Sequence, residues 1–215
     1  MKFRAEGYFF FLVVFSLLLF PKDGTWANSL TGEFTFNTKI PEVALVYFSE
    51  DKSLRSTVEP VIDQVEKEFV PTLVVGAKGS RLVIKNSDTL NHNTYALDQK
   101  LKVSFDTDLA GPGVVSYQTI DWAENNVVKI GCKIHPTMRA WVACISSRYY
   151  KVVEFTKGKA RPKFEIKDVP DNLTQVKVWL PRYLPAEVVI KKGESKKLEL
   201  KKKTKVSGTL TLGLR

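Results

Sequence analysis

The amino-acid sequence predicts an all-β protein, and three observations lead there. Short runs rich in β-branched and aromatic residues recur along the chain: Ala44-Leu45-Val46-Tyr47-Phe48, Leu73-Val74-Val75, Arg81-Leu82-Val83-Ile84, Val127-Val128-Lys129-Ile130 and Trp141-Val142-Ala143-Cys144-Ile145. Gly, Pro, Asn and Asp punctuate these runs. Later segments alternate apolar and charged residues, as a half-buried antiparallel strand requires: Lys163-Phe164-Glu165-Ile166-Lys167 and Val176-Lys177-Val178-Trp179.

Residues 1–27 read as a secretory signal peptide. Lys2 and Arg4 give a basic start, Tyr8 to Phe20 is an apolar run broken only by Ser16, and Thr25-Trp26-Ala27 offers small residues for cleavage. The run is short for a membrane span. No cysteine follows it to take a lipid, and no second long apolar segment exists. The mature chain is therefore expected to be periplasmic, without a membrane span.

Residues 28–58 hold N-terminal strands. Residues 59–146 form a central region, in which Glu59 to Glu68 has a mild helical period and Gly111-Pro112-Gly113 marks a tight turn. The composition shifts near Ser146-Ser147-Arg148. Residues 147–215 then read as a second, smaller β-sandwich region, with strands near Tyr149–Phe155, Lys163–Ile166, Val176–Leu180, Glu187–Ile190 and Leu198–Leu200. Thr31–Phe36 and Ala44–Phe48 are candidates to complete that region, which would make the central region an insertion. The lysine-rich tail from Lys191 to Lys205 reads either as an edge strand protected from aggregation or as a docking face for an acidic partner.

The chemistry concentrates in few residues. The chain has two histidines and two cysteines. His92 stands in Asn91-His92-Asn93, and Gly131-Cys132-Lys133-Ile134-His135-Pro136-Thr137-Met138 supplies a C-x2-H-x2-M cluster. Two imidazoles, a thiolate and a thioether are the ligand set of a blue-copper electron-transfer site. Soft sulfur suits Cu(I) and imidazole suits Cu(II), so one cage can hold both states. A compact loop can bring Cys132, His135 and Met138 to one metal, and His92 must arrive from a separate loop. Each residue also has an ordinary reading: a solvated histidine, a core methionine, or a Cys132–Cys144 disulfide, since even cysteine counts in exported proteins often mean bridges.

The runs Asn86-Ser87-Asp88-Thr89-Leu90-Asn91-His92-Asn93 and Gly131 to Trp141 resemble the cupredoxin family, in particular the plastocyanin- and amicyanin-like proteins of the bacterial methylamine utilization subgroup. Phe69-Val70-Pro71-Thr72-Leu73-Val74-Val75 also fits that subgroup. The resemblance covers roughly residues 60–146. It implies a Greek-key β-sandwich with one type 1 copper held by His92, Cys132, His135 and Met138. Asn93 would tie the two ligand loops together. More loosely, Phe164 to Leu200 resembles a carboxypeptidase-regulatory-like β-sandwich. The chain departs from the family at Ile130, where some members carry an aromatic residue.

The expected function is that of a one-electron carrier rather than an enzyme. Four ligands leave no open position for substrate, whereas catalytic metal sites keep one. With both histidines assigned, no Ser-His-Asp or Cys-His pair remains, and no phosphate-cradling glycine loop occurs. No third histidine serves a further copper centre. His135 is the expected electron port, with a redox protein, acidic in charge, as partner to a chain of net charge +10. Nucleic acid is not expected. The alternative is a non-redox binding or scaffold module of the cell envelope carrying a Cys132–Cys144 bridge. Oligomeric state is left open by these features.

Overall fold

A computed structural model describes residues 28–155 and 161–215. The segment read as a signal peptide, residues 1–27, lies outside the described residues. The all-β expectation is borne out. Two strands come first, β1 (Asn28–Phe36) and β2 (Val43–Phe48). Nine follow in the central region: β3 (Val61–Val65), β4 (Glu68–Val70), β5 (Leu73–Gly76), β6 (Arg81–Asn86), β7 (Tyr95–Asp98), β8 (Val103–Asp106), β9 (Val115–Thr119), β10 (Asn126–Gly131) and β11 (Arg139–Cys144). Six close the chain: β12 (Tyr150–Glu154), β13 (Lys163–Val169), β14 (Gln175–Trp179), β15 (Ala186–Val189), β16 (Ser195–Lys202) and β17 (Lys205–Leu214). Among the described residues no helix is long and apolar enough to cross a membrane.

These strands form four sheets. The central region supplies β4-β3-β6-β9 and β5-β11-β10-β7-β8. The flanking strands supply β13-β1-β17-β16 and β12-β2-β14-β15. β1 and β2 therefore pair with strands more than a hundred residues later, and the central sandwich is inserted between β2 and β12.

The period of two along a strand explains how the sheets stack. In β2, Ala44, Val46 and Phe48 enter the core of the flanking sandwich, with Leu30, Phe34 and Leu210. Val43, Leu45 and Tyr47 point the other way, into a second apolar layer with Leu73, Val75, Trp141, Ala143 and Ile145. β11 repeats the pattern: Ala140, Val142 and Cys144 face the central core with Ile62, Leu82 and Ile130, and Trp141 and Ala143 face the shared layer. The molecule is a stack of four sheets with three apolar layers. β2 and β11 are buried on both faces, which is why both read as continuous apolar runs rather than alternating ones.

One expectation is corrected and one alternative is ruled out. The helical period over Glu59–Glu68 yields to a hairpin, with Val65 paired to Glu68 and φ of 50° and 60° at Glu66 and Lys67. Two successive positive φ values make the primed turn whose twist matches paired strands. The Cys132–Cys144 disulfide of the alternative reading does not form: both cysteines are free and buried. In the β10–β11 ladder Cys144 pairs with Asn126 at one end, and Cys132 follows Gly131 at the other. That separation is roughly 17 Å along the strand, whereas a bridge needs Cα atoms within about 7 Å.

Candidate metal centre

Cys132, His135 and Met138 lie on the loop between β10 and β11, which returns the chain from Gly131 to its ladder partner Arg139. The Met138 N–H donates to the His135 carbonyl at 2.9 Å, closing the loop's last turn. Gly131 gives the ring of Tyr95 room to pack beside the loop. A Cβ there would stand 3.2 Å from Tyr95 Cε1 and 3.4 Å from the Met138 carbonyl oxygen. His92 comes from the connection between β6 and β7. Its backbone bridges Ala110 in both directions, at 3.0 and 2.7 Å. The Asn86 side chain secures the same loop by donating to the carbonyls of Leu90 and Ala110 at 2.9 and 3.0 Å. The Gly111–Gly113 turn is present, with the Val114 N–H donating to Gly111 and φ of 79° at Gly113.

Three of the expected residues converge. His92 Nδ1 and His135 Nδ1 are 3.0 Å apart, and Cys132 Sγ lies 3.9 Å from the first and 3.7 Å from the second. Atoms each about 2.0–2.3 Å from one shared ion stand about 3–4 Å from one another, so the spacing fits a single metal. His92 and Cys132 are buried, at 0% and 2% exposure, and His135 is half-buried. Met138 is buried in the same apolar cluster as Cys132. The ring edge of His135 is thus the part of the cluster nearest to water.

The surrounding hydrogen bonds orient the ligand atoms. His92 Nε2 lies 3.0 Å from Asp88 Oδ2. A carboxylate only accepts, so the network assigns the ring proton to Nε2 and leaves the Nδ1 lone pair facing Cys132 and His135. Asp88 is held as a carboxylate, its pKa drawn down to about 2 by the Lys67 N–H and then by the His92 ring. The His135 pKa is lowered, by burial first and then by His92 and Lys67, with Asp88 opposing. A depressed pKa keeps the imidazole neutral near pH 7, the form in which it binds a metal.

Asn93 joins the two loops, as the resemblance implies. Its Oδ1 accepts from the Lys133 N–H at 2.8 Å and from Cys132 Sγ at 3.4 Å, and its Nδ2 donates to Asp106 Oδ1 at 2.9 Å. A backbone donor on one side and a carboxylate on the other set the amide's orientation. Lys133 Nζ also pairs with Asp106, and first this ammonium and then Asn93 lower the Asp106 pKa. Sequence reasoning did not single out Asp88, Asn86 or Asp106. A usable signal was present for Asp88, an acid four residues before a lone histidine in a loop.

Similar solved structures include amicyanin from Paracoccus versutus, 16% identical, with 52% of this chain and 96% of that chain covered and a TM-score of 0.36. A purple cupredoxin from Nitrosopumilus maritimus is 18% identical over 39% of this chain and 97% of that chain, with a TM-score of 0.35. The copper-containing nitrite reductase of Thermus scotoductus SA-01 is 19% identical over 40% of this chain, with a TM-score of 0.36, and only 22% of that chain is spanned. No family model and no curated relative matches the chain.

Proposed function

We propose that this protein is an exported type 1 copper protein that carries single electrons and catalyses no bond-making reaction. The observation that supports this reading is the convergence of His92 Nδ1, His135 Nδ1 and Cys132 Sγ within 4.8 Å of one another. Two imidazoles and a thiolate are the donor set that copper takes in such sites, and Met138, buried in the same apolar cluster as Cys132, would be the thioether donor. Copper, when bound, supplies a one-electron couple. The chain's own residues do the rest. Asp88 orients His92, Asn93 ties the His92 loop to the Cys132 loop, and the apolar packing around Cys132 and Met138 excludes water.

His135 is the port for the electron in this reading. Its neighbours in the chain are Ile134, 52% exposed, and Pro136. Leu90 and Leu109, 39% and 61% exposed, flank the His92–Ala110 bridge. These side chains supply an apolar rim on which a redox protein docks, and the net charge of +10 favours an acidic one. Export, to the periplasm, follows from the leader-like N-terminus.

The test is the visible spectrum of the full chain loaded with Cu(II). One copper per chain and an intense blue or green thiolate-to-copper band are expected, and Cys132→Ser should abolish the band. A protein that binds copper without colour, with Cys132→Ser unchanged, would overturn the proposal.

A further inference from the structure

A cleft of about 380 Å³ opens between the two sandwiches, on the face formed by β10, β11, the β1–β2 connection and the turn after β14. Its volume falls in the range of small-molecule sites, about 300–1,000 Å³. The walls are Trp141, Trp179, Val127, Ile40 and Pro181. Trp141 and Trp179 meet edge to face at 5.8 Å and 62°. Trp141 is buried, at 6% exposure, and Trp179 is half-buried, so Trp179 supplies most of the aromatic surface open to the cleft and Trp141 backs it. Neither indole N–H has a protein acceptor among the described residues, and neither is sealed from solvent as the Trp122 N–H is.

The rim of the cleft is basic. Lys39, Lys129, Arg182 and Lys202 line it, and none has a carboxylate within salt-bridge distance among the described residues. Lys202 makes only a 3.4 Å hydrogen bond to Thr38 Oγ1 and lies 4.5 Å over the Tyr183 ring. The fifth cation, Arg139, is already neutralised, since its Nε donates to both Glu42 oxygens at 3.0 and 3.1 Å. Asp98 is the remaining acid. Four unpaired cations against one carboxylate around an aromatic floor leave a surplus of positive charge beside apolar surface. The floor is rigid, because Trp141 belongs to the apolar layer that joins the two sandwiches, and Trp179 packs against that layer.

We propose that this cleft binds a small aromatic carboxylate. The ring would lie against Trp179, backed by Trp141, where aromatic faces and edges pair favourably, and the carboxylate would reach the lysines and arginine of the rim, where charge-assisted hydrogen bonds form. The site is separate from the His92–Cys132–His135 cluster and stands or falls without it.

The experiment is isothermal titration of the full chain with 2-naphthoate, with neutral 2-naphthylmethanol and inorganic phosphate as controls. Saturable binding of one naphthoate per chain is expected, with both controls weaker by about tenfold or more. Binding should be the same with and without copper. Trp179→Ala and the double variant Lys129→Ala/Arg182→Ala should each weaken naphthoate by about tenfold. The double variant changes only exposed side chains, so it tests the site even if Trp179→Ala loosens the fold. Absence of saturable naphthoate binding would overturn the proposal. So would equal binding of the neutral alcohol, equal binding of phosphate, or full binding by the double variant.

Discussion

Replacing Asn93 with alanine should damage the metal centre more than the fold. The substitution removes the acceptor of the Lys133 N–H at 2.8 Å and the donor to Asp106 at 2.9 Å, both of which connect separate loops. Each such bond contributes about 0.5–1.5 kcal/mol net. The penalty for stranding the partners is small here. Lys133 is exposed, so its N–H can turn to water, and Asp106 keeps Lys133 Nζ and the Asp108 N–H. The expected cost is about 1–3 kcal/mol, which at about 2–4 °C per kcal/mol for a chain of this size lowers the melting temperature by about 2–12 °C. Copper affinity should fall further, by about 10–100-fold, as is usual when a group that orients a ligand is lost. Thermal unfolding followed by circular dichroism gives the first quantity, and competition against a chelator of known affinity gives the second. Asn93→Asp separates the roles: it keeps an oxygen toward Lys133 but sets a second carboxylate against Asp106 and the thiolate. Wild-type copper affinity in Asn93→Ala would refute the argument that this side chain holds the two ligand loops together.

Three further outcomes are expected. Burial, followed by Glu124, pushes the Cys144 thiol up to about 11, so a thiol reagent near neutral pH should label Cys144 only after unfolding. Peptide mapping that finds it labelled in the folded protein would contradict its core position. Met138→Gln should retain copper and a thiolate band but lower the reduction potential by one to three steps of about 59 mV, each a tenfold preference for Cu(II); voltammetry at one pH showing no drop would return Met138 to a packing role. Burial raises the pKa of Asp51, but hydrogen bonds from the Arg148 N–H, the Ser53 hydroxyl and N–H, and the Ser147 hydroxyl outweigh it and leave the pKa lowered. A carboxylate depressed in the folded state adds stability above its unfolded pKa, about 3.9, and loses it as pH falls through the folded value. Asp51→Asn should therefore show a shallower acid loss of urea midpoint than the wild type, and identical slopes would count against the Asp51 clamp.

The donor cluster was legible because it is built from rare residue types, and two loops of a sandwich have few other ways to use them. The strands missed from sequence were missed for separate reasons. β9 alternates through Val115, Ser116, Tyr117 and Gln118 but is only five residues long and buries none of them, and the exposed Leu97 breaks the pattern of β7. β17 does alternate through Leu210, Leu212 and Leu214, but Gly208 and Gly213 disguise it as turn sequence. Gly208 is needed there, since a Cβ would lie 2.7 Å from the Thr35 carbonyl oxygen. The lysine-rich β16 does lie at the edge of its sheet. What sequence could not show was the layer between the sandwiches. Its members look like ordinary core residues, and only the packing of Val43, Leu45 and Tyr47 with Leu73, Val75, Trp141 and Ala143 reveals that the second faces of β2 and β11 meet.

That shared layer bears on the metal centre through β11. The ligand loop ends at Met138, and β11 begins at the next residue, with Trp141 and Ala143 packed against the flanking sandwich and Ala140, Val142 and Cys144 against the central core. A strand confined on both faces cannot shift its register without displacing close-packed side chains on each side. The Arg139–Glu42 pair adds a contact to the β1–β2 connection at the same end. Both partners are more than a third exposed, so its contribution is small, about 0–1 kcal/mol. The apolar layer, not the ion pair, therefore supplies most of the restraint. A site anchored on such an element keeps its donor atoms in one arrangement, and little movement between redox states is what the proposed one-electron role requires.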